Sequence, residues 1–173
     1  TTYDAFGNEL TTSEAAGLPE QRLTTYTYDG LNRQLTVRLA SVSVYTAAGG
    51  WTTAAPTRTN TYDASGNLIV AVDANGGRTR SWFDAGNHKV AEVSATGTLS
   101  TWVYDAAGNV MAQNVYGDVL ALPAGDALPV PLNAANVRTT TYQVDANNRV
   151  TSSTIAQVEY GKYDTKSNSY NMA

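Results

Sequence analysis

VYDAAGNV, residues 103–110, sets an aspartate between an aromatic residue and two small ones, passes through Gly-Asn, and returns to apolar character. An acidic residue in such a setting is either chemistry or a device for reversing the chain. The rest of the sequence separates the two, because the same phrase recurs.

The matches are YDAFGNEL at Tyr3, YDGLNRQL at Tyr28, YDASGNLI at Tyr62, VDANGGRT at Val72, FDAGNHKV at Phe83, YDAAGNVM at Tyr104, VDANNRVT at Val144 and YDTKSNSY at Tyr163. Eight of the ten aspartates belong to them: Asp4, Asp29, Asp63, Asp73, Asp84, Asp105, Asp145 and Asp164. Asp63 to Asp84 is 21 residues and Asp84 to Asp105 is 21 again, with Asp73 near the midpoint of the first interval. A fixed period of this size marks a repeat architecture.

Aspartate at the first position of a turn accepts a hydrogen bond from a backbone N–H two residues on. Three residues after the aspartates stand Gly7, Asn32, Gly66, Gly76, Asn87, Gly108, Asn148 and Ser167. All but Ser167 are Gly or Asn, which best tolerate a left-handed backbone. The pattern predicts a type I turn closed by a left-handed residue, a common hairpin connection. Asn8, Arg33, Asn67, Asn109, Arg149 and Asn168 then follow, and apolar character resumes at Leu10, Leu35, Ile69, Val90 and Met111.

The segments entering the turns alternate. TTYTYD sets Tyr26 and Tyr28 on one face, LSTWVYD sets Trp102 with Tyr104, and TTTYQVD sets Tyr142 with Val144. Period two is the signature of a strand. Composition agrees, with eleven Tyr against two Phe, abundant Thr and only 15% charged residues, because β-branched and aromatic side chains suit a pleated surface. Each 21-residue unit is expected to hold two strands of about eight residues and two turns. The fold expected is all-β: consecutive antiparallel hairpins forming a curved or spiralling strip.

The recurrent Y-D-x-x-G-N/R-L phrase resembles the YD or RHS repeat family, which includes bacterial RHS and wall-associated surface proteins, Tc toxin C components and teneurins. The resemblance covers most of the chain. It implies hairpins joined edge to edge into the wall of a hollow shell, tube or fibre, in a secreted or cell-surface protein, with an enclosed effector domain in the toxin members. The motif tyrosine is replaced by Val72, Val144 and Phe83, and its glycine by Asn32, Asn87, Asn148 and Ser167. The Pro–Asp-Pro–Gly self-cleavage segment of the toxin members has no counterpart in this sequence.

Three insertions break the rhythm, at 12–21, 46–56 and 116–137. They hold all five prolines, Pro19, Pro56, Pro123, Pro129 and Pro131, which lack the N–H that a central strand requires, so loops or long hairpin tips are expected there. The 173 residues are read as one repeat segment of a longer array. Strands at either end of such a strip expose unpaired backbone groups, so the expected partners are neighbouring repeats or further copies of the chain.

Other chemistry is poorly supplied. Cysteine is absent and His88 is the sole histidine, set in a turn, so thiolate and transition-metal sites lack ligands and no cofactor is expected. No serine stands in a nucleophile elbow. The net charge of -4 and the lack of a basic run argue against nucleic acid, and no apolar run approaches the roughly 18 residues of a membrane span. DANGG at 73–77 brings one carboxylate where calcium takes six or more oxygens. The rival to a purely structural role is a glycan-binding surface module, with Trp51, Trp82 and Trp102 as stacking platforms. Cross-strand packing is the plainer reading of the same aromatics.

Overall fold

The computed structural model describes residues 1–123, 125–159 and 162–169, with side chains described through residue 156. It is all-β, and no helix occurs among the described residues. The chain divides into two compact units, Thr1–Arg78 and Thr79–Ala173.

The first unit contains β1 (Thr2–Tyr3), β2 (Glu9–Glu14), β3 (Arg22–Tyr28), β4 (Gln34–Arg38), β5 (Val42–Tyr45), β6 (Trp51–Ala54), β7 (Thr57–Tyr62) and β8 (Leu68–Val72). Pairing is antiparallel and runs β1-β2-β3-β4-β7-β8. β5 and β6 stand apart as a two-stranded hairpin inserted between β4 and β7. Insertion 46–56 therefore supplies a strand of its own. Insertion 12–21 begins inside β2 and ends in a compact turn, where Leu18 N–H donates to the Ala15 carbonyl and Gln21 N–H to the Leu18 carbonyl.

In the second unit follow β9 (Arg78–Phe83, whose first residue belongs to the first unit), β10 (Lys89–Val93), β11 (Thr98–Tyr104), β12 (Val110–Val119), β13 (Val137–Val144), β14 (Val150–Glu159) and β15 (Lys162–Ser169). Each pairs antiparallel with the next in sequence. Strands around the 21-residue repeat run five to seven residues, shorter than expected because each turn takes up five. Insertion 116–137 is bounded by strand: β12 continues to Val119 and β13 begins at Val137.

The best-buried core lies on one face of the second unit. Trp82 stands opposite Ala91, Arg80 opposite Val93, and Val93 opposite Leu99, so these side chains share a face. Val93 and Leu99 are fully enclosed, with Ala91 and Trp82 nearly so. Leu120 and Leu122, from the segment after β12, pack on this cluster, and Leu120 N–H donates to the Gly97 carbonyl at 2.8 Å. The insertion thus works as a strap over the apolar face. In the first unit Val70 is the buried hydrophobic residue; its hairpins are held by ladder hydrogen bonds and half-buried aromatics.

Strand direction alternates, so turns alternate between the two edges of each unit. In the first unit the turns at Asp4, Asp29 and Asp63 share one edge, and the two insertions and the Asp73 turn take the other. In the second unit the Asp84, Asp105 and Asp145 turns share one edge, and a turn at Ser94 and the strap take the other.

Candidate functional site

The motif turns follow one plan. The aspartate N–H bonds the carbonyl four residues on, and the N–H at the third residue bonds back to the aspartate carbonyl, for instance Asp105 to Asn109 at 3.0 Å and Gly108 to Asp105 at 3.1 Å. That third residue is left-handed at Gly7, Asn32, Gly66, Gly76, Asn87, Gly108 and Asn148, with φ between 59° and 95°. Asn32, Asn87 and Asn148 occupy it without glycine because asparagine is the side-chain-bearing residue that best accepts this region. The ladder shifts register immediately before the aspartate at Thr27/Tyr28, Thr61/Tyr62, Val103/Tyr104 and Gln143/Val144, the bulge that such a turn produces.

The carboxylates are consumed inside these turns. Asp105 Oδ1 accepts the N–H groups of Ala107 and Asn109, and Oδ2 accepts the Asn109 carboxamide. Asp4 does the same with Phe6 and Asn8, Asp29 with Leu31 and Arg33, and Asp145 with Asn147 and Arg149. Asp63 is held by Asn67 through backbone and side chain. Asp73 accepts from Asn75 and Gly77, and the latter has no side chain to add. These donors hold the carboxyls of Asp4, Asp63, Asp105 and Asp145 below the ordinary value, chiefly through the side chain four residues on. Asp29 and Asp84 are lowered first by the backbone N–H at that position.

The residue four after the aspartate has a second task that sequence reasoning missed. Asn8 Nδ2 also donates to Asn32 Oδ1 at 2.8 Å, and Asn109 Nδ2 to Asn148 Oδ1 at 2.9 Å. Arg33 Nη1 donates to the Asp63 carbonyl at 3.1 Å and its guanidinium lies 4.7 Å from the Tyr62 ring centroid. Each is a link from one turn to the next on the same edge. His88 fills this position in the Asp84 turn: Nδ1 lies 3.1 Å from Asp84 Oδ2, the ring stacks on Tyr104 at 4.8 Å, and a Cβ on Gly108 would sit 3.0 Å from Nε2. His88 is thus a half-exposed spacer between turns. The linked edge carries none of the insertions, which occupy the opposite edge.

Two sequence expectations need correction. Asp164 lies within β15, opposite Gln157, in a ladder running unbroken from Ser152↔Ser169 to Glu159↔Lys162. It is the one motif copy whose third residue, Ser167, lacks the left-handed tolerance of Gly or Asn. Trp82 is 7% exposed beneath the strap, and its indole N–H donates to the Asp126 carbonyl, so no sugar ring reaches it. Trp51 is 74% exposed on the β5–β6 hairpin, edge-on to Tyr45 at 5.4 Å. Trp102 is half-buried beside a shallow cleft, with Lys89 Nζ 5.3 Å from its ring centroid.

The sequence reading also missed a turn. Ser94 N–H bonds the Thr98 carbonyl, Gly97 N–H bonds back to Ser94, and Ser94 Oγ accepts from Thr98 N–H at 3.1 Å, so serine does aspartate's work. Ser94 and Gly97 stand 21 residues after Asp73 and Gly76, which was the available signal.

No family model and no curated protein matches the chain. Among solved structures it is similar to the Photorhabdus luminescens Tc holotoxin pore carrying a TccC3 mutation, at 14% identity and TM-score 0.39, over 95% of this chain and 10% of that one. It is similar to TcdB2-TccC3 without the hypervariable C-terminal region at 14% identity and TM-score 0.28, over 96% and 11%. It is also similar to a porin-like protein from Bacteroides uniformis, at 14% identity and TM-score 0.23, over 90% and 91%. The chain spans about a tenth of the length of the Tc toxin chains it is similar to.

Proposed function

We propose that the chain is a non-enzymatic structural segment of a large secreted or cell-surface RHS/YD-repeat protein, forming part of the wall of a β-shell, tube or fibre. Its partners are neighbouring repeats of a longer array or further copies of the chain, and in a shell an enclosed effector domain. The observation that carries this reading is the link between successive turns. At Asp4, Asp29, Asp63, Asp105 and Asp145 both carboxylate oxygens are occupied by backbone and side-chain donors, and Asn8, Arg33 and Asn109 among those donors also tie hairpin to hairpin. A catalytic carboxylate needs a free oxygen facing a substrate, whereas a wall needs its units held in series.

The test is Asp105→Ala in the purified chain. The structural reading expects a lower unfolding midpoint and no loss of any binding or turnover that the parent shows. A variant with an unchanged midpoint and an abolished activity overturns it. Imaging of the intact assembly by electron microscopy distinguishes a closed shell from an open fibre.

The exposure of Trp51 beside Tyr45, on a hairpin that pairs with no other strand among the described residues, favours a second reading: a glycan-binding surface module. An exposed aromatic face offers a sugar ring a stacking surface. Binding on a glycan array that disappears in Trp51→Ala, with folding intact, supports it. Equal binding by parent and variant rejects Trp51 as the platform.

A further inference from the structure

The motif tyrosine makes the same contact in two pairs of hairpins. Tyr62 Oη donates to the Gln34 carbonyl at 3.1 Å, and Tyr104 Oη to the Lys89 carbonyl at 2.8 Å. Tyr62 and Tyr104 immediately precede Asp63 and Asp105, and Gln34 and Lys89 stand five residues after Asp29 and Asp84. In each case the ring fills the space between its own turn and the preceding one, and the hydroxyl ends on a carbonyl there.

The next pair has the same layout without the ring. Val144 immediately precedes Asp145, and Val110 stands five residues after Asp105. An isopropyl group is too short to cross the gap. At this place the structure has a cleft of about 340 Å³, and both Val110 and Val144 line it. Trp102 and Tyr142 give it aromatic surface, Gln113 stands directly opposite Trp102 in the ladder, and the Asn109–Asn148 hydrogen bond spans residues of its rim. Every described lining residue is uncharged, and Lys89, whose Nζ lies 5.3 Å from the Trp102 ring centroid, is paired with Glu92. Trp102, Gln113 and Tyr142 bring polar side-chain groups to it. Apolar lining with a few polar groups is the make-up of a small-molecule site.

We infer that this cleft is a binding site for a small neutral aromatic molecule bearing one hydroxyl, a phenol, seated as Tyr62 and Tyr104 seat their rings in two other pairs. The ring packs on Val110, Val144 and Trp102, and the hydroxyl donates to the Val110 carbonyl. The lack of charge in the lining disfavours ions, which would lose hydration without a counter-charge. The inference is independent of the wall role, since it concerns one gap between hairpins.

The probes are p-cresol, toluene and methyl β-glucoside, titrated into the 15N-labelled chain. The readout is the Trp102 indole signal, assigned through Trp102→Phe. Saturable binding of p-cresol is expected, tighter than toluene by a factor of roughly 2 to 12, the worth of one hydrogen bond. It should vanish in Val144→Tyr, where the chain supplies its own phenol. Absence of saturable p-cresol binding overturns the inference, as does unchanged binding in folded Val144→Tyr or a preference for the glucoside. If Val144→Tyr fails to fold, the ranking of the three probes on the parent chain decides alone.

Discussion

Asn109 Nδ2 donates to Asn148 Oδ1 at 2.9 Å, although 39 residues separate them. The same nitrogen serves Asp105 Oδ2 at 2.8 Å, so one carboxamide closes its own turn and ties it to the next. Asn109→Ala removes both bonds, and a cost of about 1–2 kcal/mol is expected. Asn148→Gly keeps the left-handed backbone, φ 59°, while deleting the acceptor. The double mutant should be less destabilised than the sum of the singles by about 0.5–1 kcal/mol, measured by urea unfolding. Strict additivity would mean that the link between turns contributes nothing.

Six aspartates, Asp4, Asp29, Asp63, Asp84, Asp105 and Asp145, have carboxyls held below the ordinary 3.8 by turn hydrogen bonds. The folded chain therefore binds fewer protons than the unfolded chain near pH 4, and stability falls as pH falls. Their contribution is fully present above the unfolded value and is lost as pH drops through the lowered folded-state values. Circular dichroism across pH 7 to 2 should show unfolding that begins below about pH 4. Asp105→Asn, which removes one of these groups, should make the acid dependence shallower. Equal slopes in parent and variant would dismiss the turn carboxylates as its source.

Legibility in the sequence followed the range of the interaction. The Asp turns are local: Asp105 meets Ala107 and Asn109 within five residues, so a short phrase contains the whole cause. The Ser94 turn is less legible because its phrase lacks the aspartate, although the serine hydroxyl makes the same bond. At Asp164 the Tyr-Asp pair alone does not make a turn, because Ser167 lacks the left-handed tolerance of Gly or Asn. The turn-to-turn role of Asn8, Arg33 and Asn109 depends on partners 24, 30 and 39 residues away, which no local pattern discloses. Trp82 illustrates the limit for the candidate site, since Leu120 and Leu122 that join its cluster come from an insertion with no periodicity of its own.

Gly76 and Gly97 offer a controlled comparison. Their φ values are 84° and 83°, so alanine meets the same left-handed penalty at both, about 1–2 kcal/mol. Their surroundings differ. A Cβ on Gly76 meets nothing within 4 Å, whereas one on Gly97 would lie 2.6 Å from Val119 Cγ1 and 2.7 Å from the Leu120 carbonyl oxygen. Gly97→Ala should therefore be the more destabilising by at least about 1 kcal/mol, because backbone of the strap must shift. Thermal unfolding of the two variants side by side checks this; equal losses would mean that the strap does not rest on the Ser94 turn.

Arg80 anchors the other end of the strap. Its side chain is 10% exposed and pairs with Asp126, whose carboxylate faces solvent, and it also donates to the Pro123 carbonyl at 3.4 Å. Its guanidinium lies 5.2 Å from the Trp82 ring centroid, and the Trp82 N–H holds the Asp126 carbonyl. Asp126→Ala leaves a covered guanidinium with the Pro123 carbonyl as its one acceptor among the described residues, beside a buried Nε that has no partner among them. A small loss of stability is expected, limited because the carboxylate itself is solvated. Arg80→Met retains apolar packing on Trp82 without the charge, so the double variant should recover most of the loss. Urea unfolding of the parent, both single variants and the double gives the coupling. If Asp126→Ala matches the parent, the strap is held by its leucines and by the Trp82 hydrogen bond, and the ion pair is dispensable.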